Sequence, residues 1–243
     1  MWDNAPLLRS IASTLFFCSV VAMLYGAGHY LVHLPQLLPI QSVRLAAAPE
    51  RVVADDVLRV VRQEVQGNFF TVDIERLRRS LEELPWVRNV SIRREFPNRL
   101  AVQFEEHQPL ARWNDVALVN RQGEVFVAET AQKLPVFIGH EGSSAEMSQQ
   151  YEKFSQQLRA LNLQLAQLVL SPRHAWQLHL SNDMVVDLGR EAMQQRLARF
   201  VAVYPYSLGA AQQEGRESES GQVRFVDMRY RNGFAVRMRQ GNA

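Results

Sequence analysis

The apolar residues of this chain fall into three successive patterns. The first is a solid block: residues 11–34 include no Asp, Glu, Lys or Arg. At a rise of ~1.5 Å per residue the block makes a helix of roughly 36 Å, enough to cross a hydrocarbon core of about 30 Å. Pro35 stops it. A transmembrane helix over residues 10–34 is expected, with a short tail of residues 1–9 before it.

The second pattern switches between strand and helix spacing. Ile40, Val43 and Leu45 suit a short strand. Val53, Val57, Val60, Val61 and Val65 then recur at helical spacing, with Asp55 and Asp56 in the first turn, where the helix dipole favours anions. Gly67 and Asn68 end that helix. Asp73 is a good N-cap for a second one, whose buried stripe is Ile74, Leu77, Leu81 and Leu84; Pro85 closes it. Val90 and Ile92 alternate with polar residues, residues 96–99 turn the chain, and Leu100, Val102 and Phe104 alternate in return. The order is β-α-α-β-β, with the last two strands forming a hairpin and both helices on one face of the sheet.

The third pattern is mostly period two. Residues 116–119 and 124–127 read as paired strands around Arg121, Gln122 and Gly123. Residues 128–142 read as loop around Pro135, with a short apolar run at Val136, Phe137 and Ile138. Ser143 and Glu146 offer a capping box. Behind it Met147, Tyr151, Phe154, Leu158 and Leu161 make a core-facing helical stripe. Leu163, Leu165 and Val169 suggest a strand. Trp176, Leu178 and Leu180 match Met184, Val186 and Leu188 across a turn at Asn182 and Asp183. Met193, Leu197, Phe200, Val201 and Tyr204 mark a second helix, and residues 207–222 read as an exposed loop. The end is a hairpin, residues 223–230 and 234–238 around Arg231, Asn232 and Gly233, because Asn-Gly between apolar runs is a strong two-residue turn signal. The fold class is α+β: a single N-terminal transmembrane helix, a β-α-α-β-β domain over residues 38–108, and a mainly antiparallel β domain with two helices over residues 109–243.

Composition changes this picture little. Charged residues are 21% of the 243, and the formal net charge is +2. Basic residues are scattered among acidic ones, so no stripe suited to nucleic acid exists. The one cysteine, Cys18, lies inside the apolar block, which leaves the rest without an internal disulfide or a cysteine-based zinc site. The block is about twice the length of a signal-peptide core, and the small residues Ala46, Ala47 and Ala48 lie well beyond its end, so a retained anchor is favoured over a cleaved leader. Arg9 on the short side gives a slight bias toward a cytoplasmic N-terminus.

Candidate chemistry is sparse. No nucleophile motif and no phosphate-binding glycine loop are present. His29 and His33 share a helix face at the spacing of paired metal ligands, but no carboxylate stands near them in sequence, and placement at a membrane interface is favoured. Asp183 and Asp187 would lie roughly 13 Å apart along a strand, beyond the ~5–9.5 Å used by paired carboxylates in glycan cleavage. A turn residue and a solvent-facing strand residue is the better reading. Nothing asks for a cofactor, a metal or a small-molecule substrate. The terminal hairpin is the exception: Phe234, Ala235, Val236 and Met238 carry too little charge to protect a sheet edge, and Tyr230 is a rigid amphipathic anchor. From the residues alone, a partner strand adding there and a hairpin that merely closes the sheet remain equal readings.

The β-α-α-β-β order, entered at Leu84, Pro85, Trp86 and Val87, resembles a POTRA domain. One such domain directly after a single anchor is similar to the bacterial FtsQ/DivIB family. Further matches are residues 106–114 (EHQPLARWN), 196–200 (RLARF) and 226–230 (VDMRY). Where the family often has Gly at the end of the first strand, this chain has Ala46–Ala48. The resemblance implies a non-enzymatic cell-division scaffold of the inner membrane, with its N-terminus cytoplasmic, its C-terminus periplasmic and its place at the septum. It implies capture of FtsB, in complex with FtsL, at the C-terminal strand region, and contacts of the POTRA domain with other divisome proteins. By residue matching Tyr230, Asn232, Gly233 and Phe234 fall on that surface, with Val236 on the same strand. Arg173 matches an arginine that pairs with an acidic residue of FtsB, and Met238 stands where many relatives have Trp. Two other readings stay open: a membrane-tethered cell-wall enzyme or its regulator, and a POTRA-bearing chaperone for outer-membrane proteins.

Overall fold

The structure is a computed structural model and describes residues 5–34, 38–208, 223–231 and 233–238. It divides into two compact units, residues 1–106 and 107–243.

The first unit opens with α1 (Ala5–Val32), whose stretch Arg9–Val32 is long and apolar enough to cross a membrane. Beyond it stand β1 (Ser42–Leu45), α2 (Ala54–Glu64), α3 (Ile74–Glu82), β2 (Val87–Glu95) and β3 (Arg99–Glu106). The sheet order is β1-β3-β2, with β2 and β3 antiparallel and β1 parallel to β3. α3 starts as its sequence requires, with the Asp73 carboxylate accepting from Arg76 N at 2.9 Å. The helices cover one face: Val57, Leu77 and Leu81 pack on Val87, Val90, Leu100 and Val102. Leu77, Leu81, Leu100 and Val102 are wholly buried, each contributing about 1.5–3 kcal/mol of apolar burial. The Glu106 carboxylate at the end of β3 accepts from three successive amides, those of Glu50, Arg51 and Val52, at 3.0–3.2 Å. That arrangement ties residues 50–52, just before α2, to the end of the sheet.

The second unit is built on one sheet of nine strands. They are β4 (Pro109–Trp113), β5 (Ala117–Asn120), β6 (Val125–Phe126), β7 (Val136–Ile138), β8 (Leu165–Leu170), β9 (Trp176–Leu180), β10 (Val185–Gly189), β11 (Val223–Asp227) and β12 (Ala235–Met238). Their order is β12-β11-β10-β9-β8-β7-β4-β5-β6. Helices α4 (Ser144–Leu158) and α5 (Met193–Val203) pack on one face, closing a core around Phe137, Phe154, Trp176, Leu197 and Phe200. Phe154 meets Trp176 edge to face, with ring centroids 5.7 Å apart.

Four local expectations are corrected. Residues 136–138, within the segment read as loop, form β7, an interior strand that pairs in parallel with β4 on one side and β8 on the other. A strand of three residues carries little periodicity. The capping box does not form: Ser143 Oγ donates to His140 O at 2.6 Å, and Ser144 Oγ to Gly123 O at 2.6 Å. The hydroxyls fasten the start of α4 to neighbouring turns instead. In β8 a register shift between Leu165 and Gln167 turns Leu168 and Leu170 inward in place of Val169. Finally, the last ladder stops at Asp227–Ala235 and β11 does not run on to Tyr230, while the expected turn at Arg231, Asn232 and Gly233 falls on Asn232, which lies outside the described residues.

The candidate partner-binding edge

β12 ends the sheet, and all four of its residues are exposed. Facing pairs place its side chains. Val236 stands opposite the wholly buried Val226, on the face that carries the helices, yet Val236 is 38% exposed and Met238 56%. The helix layer therefore stops short of the edge strand and leaves an apolar strip there. On the other face Arg237 stands opposite Phe225, with its guanidinium carbon 5.7 Å from the ring centroid. Among the described residues, β12 thus offers an unpaired backbone edge beside uncovered apolar side chains, the combination that strand addition uses.

The segment between β11 and β12 is held from two sides. Arg199 on α5 donates from Nη1 to the carbonyl oxygens of Tyr230 (3.2 Å) and Arg231 (2.6 Å). Arg229 is gripped by Asp227 through Nε to Oδ1 (2.9 Å) and Nη2 to Oδ2 (2.6 Å), with Asp187 Oδ2 3.8 Å from Nε. The bidentate bond from Arg229 holds the Asp227 carboxyl below its usual 3.8. Asp227, then Asp187, make the Arg229 guanidinium still harder to deprotonate. Asp187 also accepts from Gly189 N at 2.9 Å. At 7% exposure it is a buried anchor of this network and not a solvent-facing residue, because the segment just past β11 brings the Arg229 cation beside it, which a view of the single strand omits. Asp183 holds a left-handed position in the β9–β10 turn.

Most of the expected site residues gather at one end of the sheet. Tyr230 is 58% exposed, three residues beyond the end of β11. Phe234 is partly buried against the core, and Gly233 precedes it. Asn232 lies outside the described residues. Arg173 is exposed in the β8–β9 turn, where Ser171 Oγ accepts from Ala175 N at 3.0 Å. The registers Leu170–Trp176, Trp176–Gly189 and Asp187–Asp227 put that turn at the end of the sheet where β11 stops. Three strand spacings, roughly 14 Å, separate β9 from β12. Val236 lies along the edge itself. Arg199, Asp227, Asp187 and Arg229 were not expected as supports of this surface; two arginines three apart on an amphipathic helix were the available signal.

No catalytic arrangement converges elsewhere among the described residues. Among the described residues no group of three His, Cys, Asp or Glu could hold a metal ion. A shallow cleft of about 670 Å³ on the open face of the sheet is lined by residues including Gln167, His179, Asp183, Phe225 and Arg237, a mixed set without an acid–base pair. Burial lowers the His179 pKa below its ordinary 6.5, favouring the neutral ring. At the end of α1 the rings of His29 and His33, the latter just past the helix, stack at 4.1 Å, and His33 Nδ1 bonds to His29 O at 2.8 Å.

An apolar helix long enough to span a membrane, followed by a β-α-α-β-β unit and a β sheet with an open terminal edge, defines a class: single-anchor proteins carrying a POTRA-like unit and a β domain. Comparison with known families agrees and goes further. Residues 38–107 match the family model described as POTRA domain, FtsQ-type, and residues 111–229 match that of cell division protein FtsQ/DivIB, C-terminal. The chain is 39% identical to the cell division protein FtsQ of Nitrosospira multiformis over 98% of its own length and 99% of that protein's. It is 36% identical to FtsQ of Burkholderia pseudomallei (98% and 94%) and 32% identical to FtsQ of Escherichia coli (93% and 83%). The chain belongs to the FtsQ/DivIB family of cell division proteins.

Proposed function

We propose that this protein is a non-catalytic scaffold of the division machinery, inserted in the inner membrane with residues 1–9 in the cytoplasm and residues 10–34 as the span. Residues 38–108 form its POTRA domain and residues 109–243 its β domain, both in the periplasm at the septum. The β domain captures FtsB, carrying FtsL with it, by strand addition along β12. Tyr230, Asn232, Gly233, Phe234 and Val236 form the contact surface, and Arg173 meets an acidic side chain of the partner. The POTRA domain meets other division proteins. One observation supports this reading most: β12 is the terminal strand of a nine-stranded sheet and is exposed along its whole length. An unpaired, largely uncharged edge of this kind is a hazard unless it has a use.

The test is hydrogen exchange on the full chain in lipid nanodiscs, with and without the periplasmic segment of FtsB. Slowed exchange at residues 235–238 on binding is the expected result. Binding that leaves those amides unprotected places the contact elsewhere, and absence of binding removes FtsB as the partner.

A further inference from the structure

The end of α1 is not a loose tether. Its last carbonyls have no donors within the helix, as at any helix C-terminus. Asn68, wholly buried, supplies them: its Nδ2 donates to Val32 O at 2.6 Å and to Leu34 O at 2.9 Å. The Asn68 Oδ1 accepts from Phe70 N and Thr71 N, each at 2.9 Å, and from Thr71 Oγ1 at 3.0 Å. Both halves of one amide are therefore committed, one to the helix end and one to the loop of residues 67–72. Phe69 N also donates to Leu38 O at 3.0 Å, just past the anchor.

This clasp fixes a height. Arg9–Val32 is 24 residues, roughly 36 Å of helix against about 30 Å of hydrocarbon, so a spanning α1 ends in the headgroup layer. Whatever is bonded to Val32 O lies in that layer as well. Phe69 carries the level sideways: its ring meets Phe70 at 5.4 Å and Phe96 at 6.2 Å, both edge to face. Phe96 is the tip of the β2–β3 hairpin. Phe69 is nearly buried, but Phe70 is 48% exposed and Phe96 74%. Two large aromatic rings thus stand open at the height where the anchor leaves the membrane. The hairpin tip is also basic on both faces. Arg94 is exposed and donates to Val72 O at 2.9 Å, while Arg99, exposed, pairs in register with Glu95.

We propose that Phe70 and Phe96, with Arg94 and Arg99 beside them, form a second membrane contact. The rings enter the headgroup layer of the leaflet where α1 ends, and the guanidinium groups meet lipid phosphates. The occupant is the bilayer surface itself, because the patch is continuous with the point where the span emerges. Exposed Phe side chains of interfacial elements bury at the headgroup–acyl boundary, and arginine is drawn to anionic phosphate. The POTRA unit is then held by the span, by Asn68 and by a lipid-facing tip, which limits its rotation about the anchor. This inference rests on α1 spanning the membrane.

The experiment uses the full chain carrying Cys18→Ser, with single nitroxide labels at Phe70→Cys, Phe96→Cys, Glu83→Cys and Leu24→Cys. Each aromatic replacement leaves the other ring in place, and Glu83 lies exposed at the far end of α3. The protein is reconstituted in phosphatidylcholine vesicles containing phosphatidylglycerol. Accessibility to oxygen and to a water-soluble nickel chelate is read from the spin relaxation. Labels at 70 and 96 are expected to meet the chelate several-fold less than the label at 83, and omission of phosphatidylglycerol is expected to narrow the difference. Labels at 70 and 96 as open to the chelate as that at 83, with the label at 24 in lipid, would overturn the contact and leave the span intact. A label at 24 open to the chelate would overturn the span and the contact together. Protection that arises only when a second protein is added would assign the patch to a protein and refute the lipid contact.

Discussion

Replacing Tyr230 by Ala is the sharpest perturbation of the proposed edge. Its ring is 58% exposed, so most of its surface is still available to a partner. A buried aromatic side chain accounts for about 150–250 Å², which leaves roughly 90–140 Å² to be covered on binding. At about 25 cal/mol per Å² that is roughly 2–3.5 kcal/mol, an upper range because a partner rarely covers all of it. A loss of about 2–3 kcal/mol weakens binding by about 30- to 150-fold. The folded state has little at stake. The Arg199 bonds go to the carbonyl oxygens of Tyr230 and Arg231, which Ala at 230 retains, so stability should move by no more than about 0.5 kcal/mol. The assay is isothermal titration of the FtsB periplasmic segment into the full chain in nanodiscs, beside thermal unfolding of both variants. An affinity within about threefold of the parent, with unchanged melting, would refute the anchor role of Tyr230. A loss of affinity matched by a comparable loss of stability would show that the ring supports the fold instead.

Three further outcomes are expected. Gly123→Ala should destabilise the β domain by more than about 2 kcal/mol in denaturant titration, because Gly123 has φ +84° and an added Cβ would overlap the backbone of Ala145 on α4; a change under about 0.5 kcal/mol would show that the turn can shift. Arg199→Ala should speed hydrogen exchange at residues 228–231 and weaken FtsB binding while Tyr230 is still present, since it removes the two bonds that hold that segment; unchanged exchange would refute the clamp. Acidification should act in two windows. The folded His179 pKa lies below 6.5, so the unfolded state takes up the proton first and stability falls as pH drops through 6.5; His179→Gln should remove that slope in melting curves. The folded Asp227 pKa lies below 3.8, so its contribution is complete above that value and is lost as pH falls toward the folded pKa, a loss that Asp227→Asn should abolish.

Local physics made much of this protein readable from its residues. An uncharged block long enough to cross a bilayer needs no neighbour to be recognised, and α1 is where that block is. The stripe Leu77 and Leu81, the Asp73 cap and the alternation of Leu100 and Val102 each express a period that one segment carries alone. The matched arms of β9 and β10 do the same. Tertiary structure decided what depends on a second segment. β7 is too short, at three residues, to show a period and exists because β4 and β8 complete its hydrogen bonds. Ser143 and Ser144 satisfy the cap pattern, yet nearby carbonyl oxygens claimed their hydroxyls. Asp187 looks solvent-facing on its own strand and is buried beside Asp227 and Arg229. The edge position of β12 is a property of the whole strand order, since only the sheet determines which strand has no further neighbour. The same holds for Asn68: its identity suggested only a helix end in the POTRA unit, while the folded chain sets its amide on the end of α1. Periodicity is a property of one segment, whereas pairing, edges and buried charge belong to at least two, and no single stretch of sequence holds them.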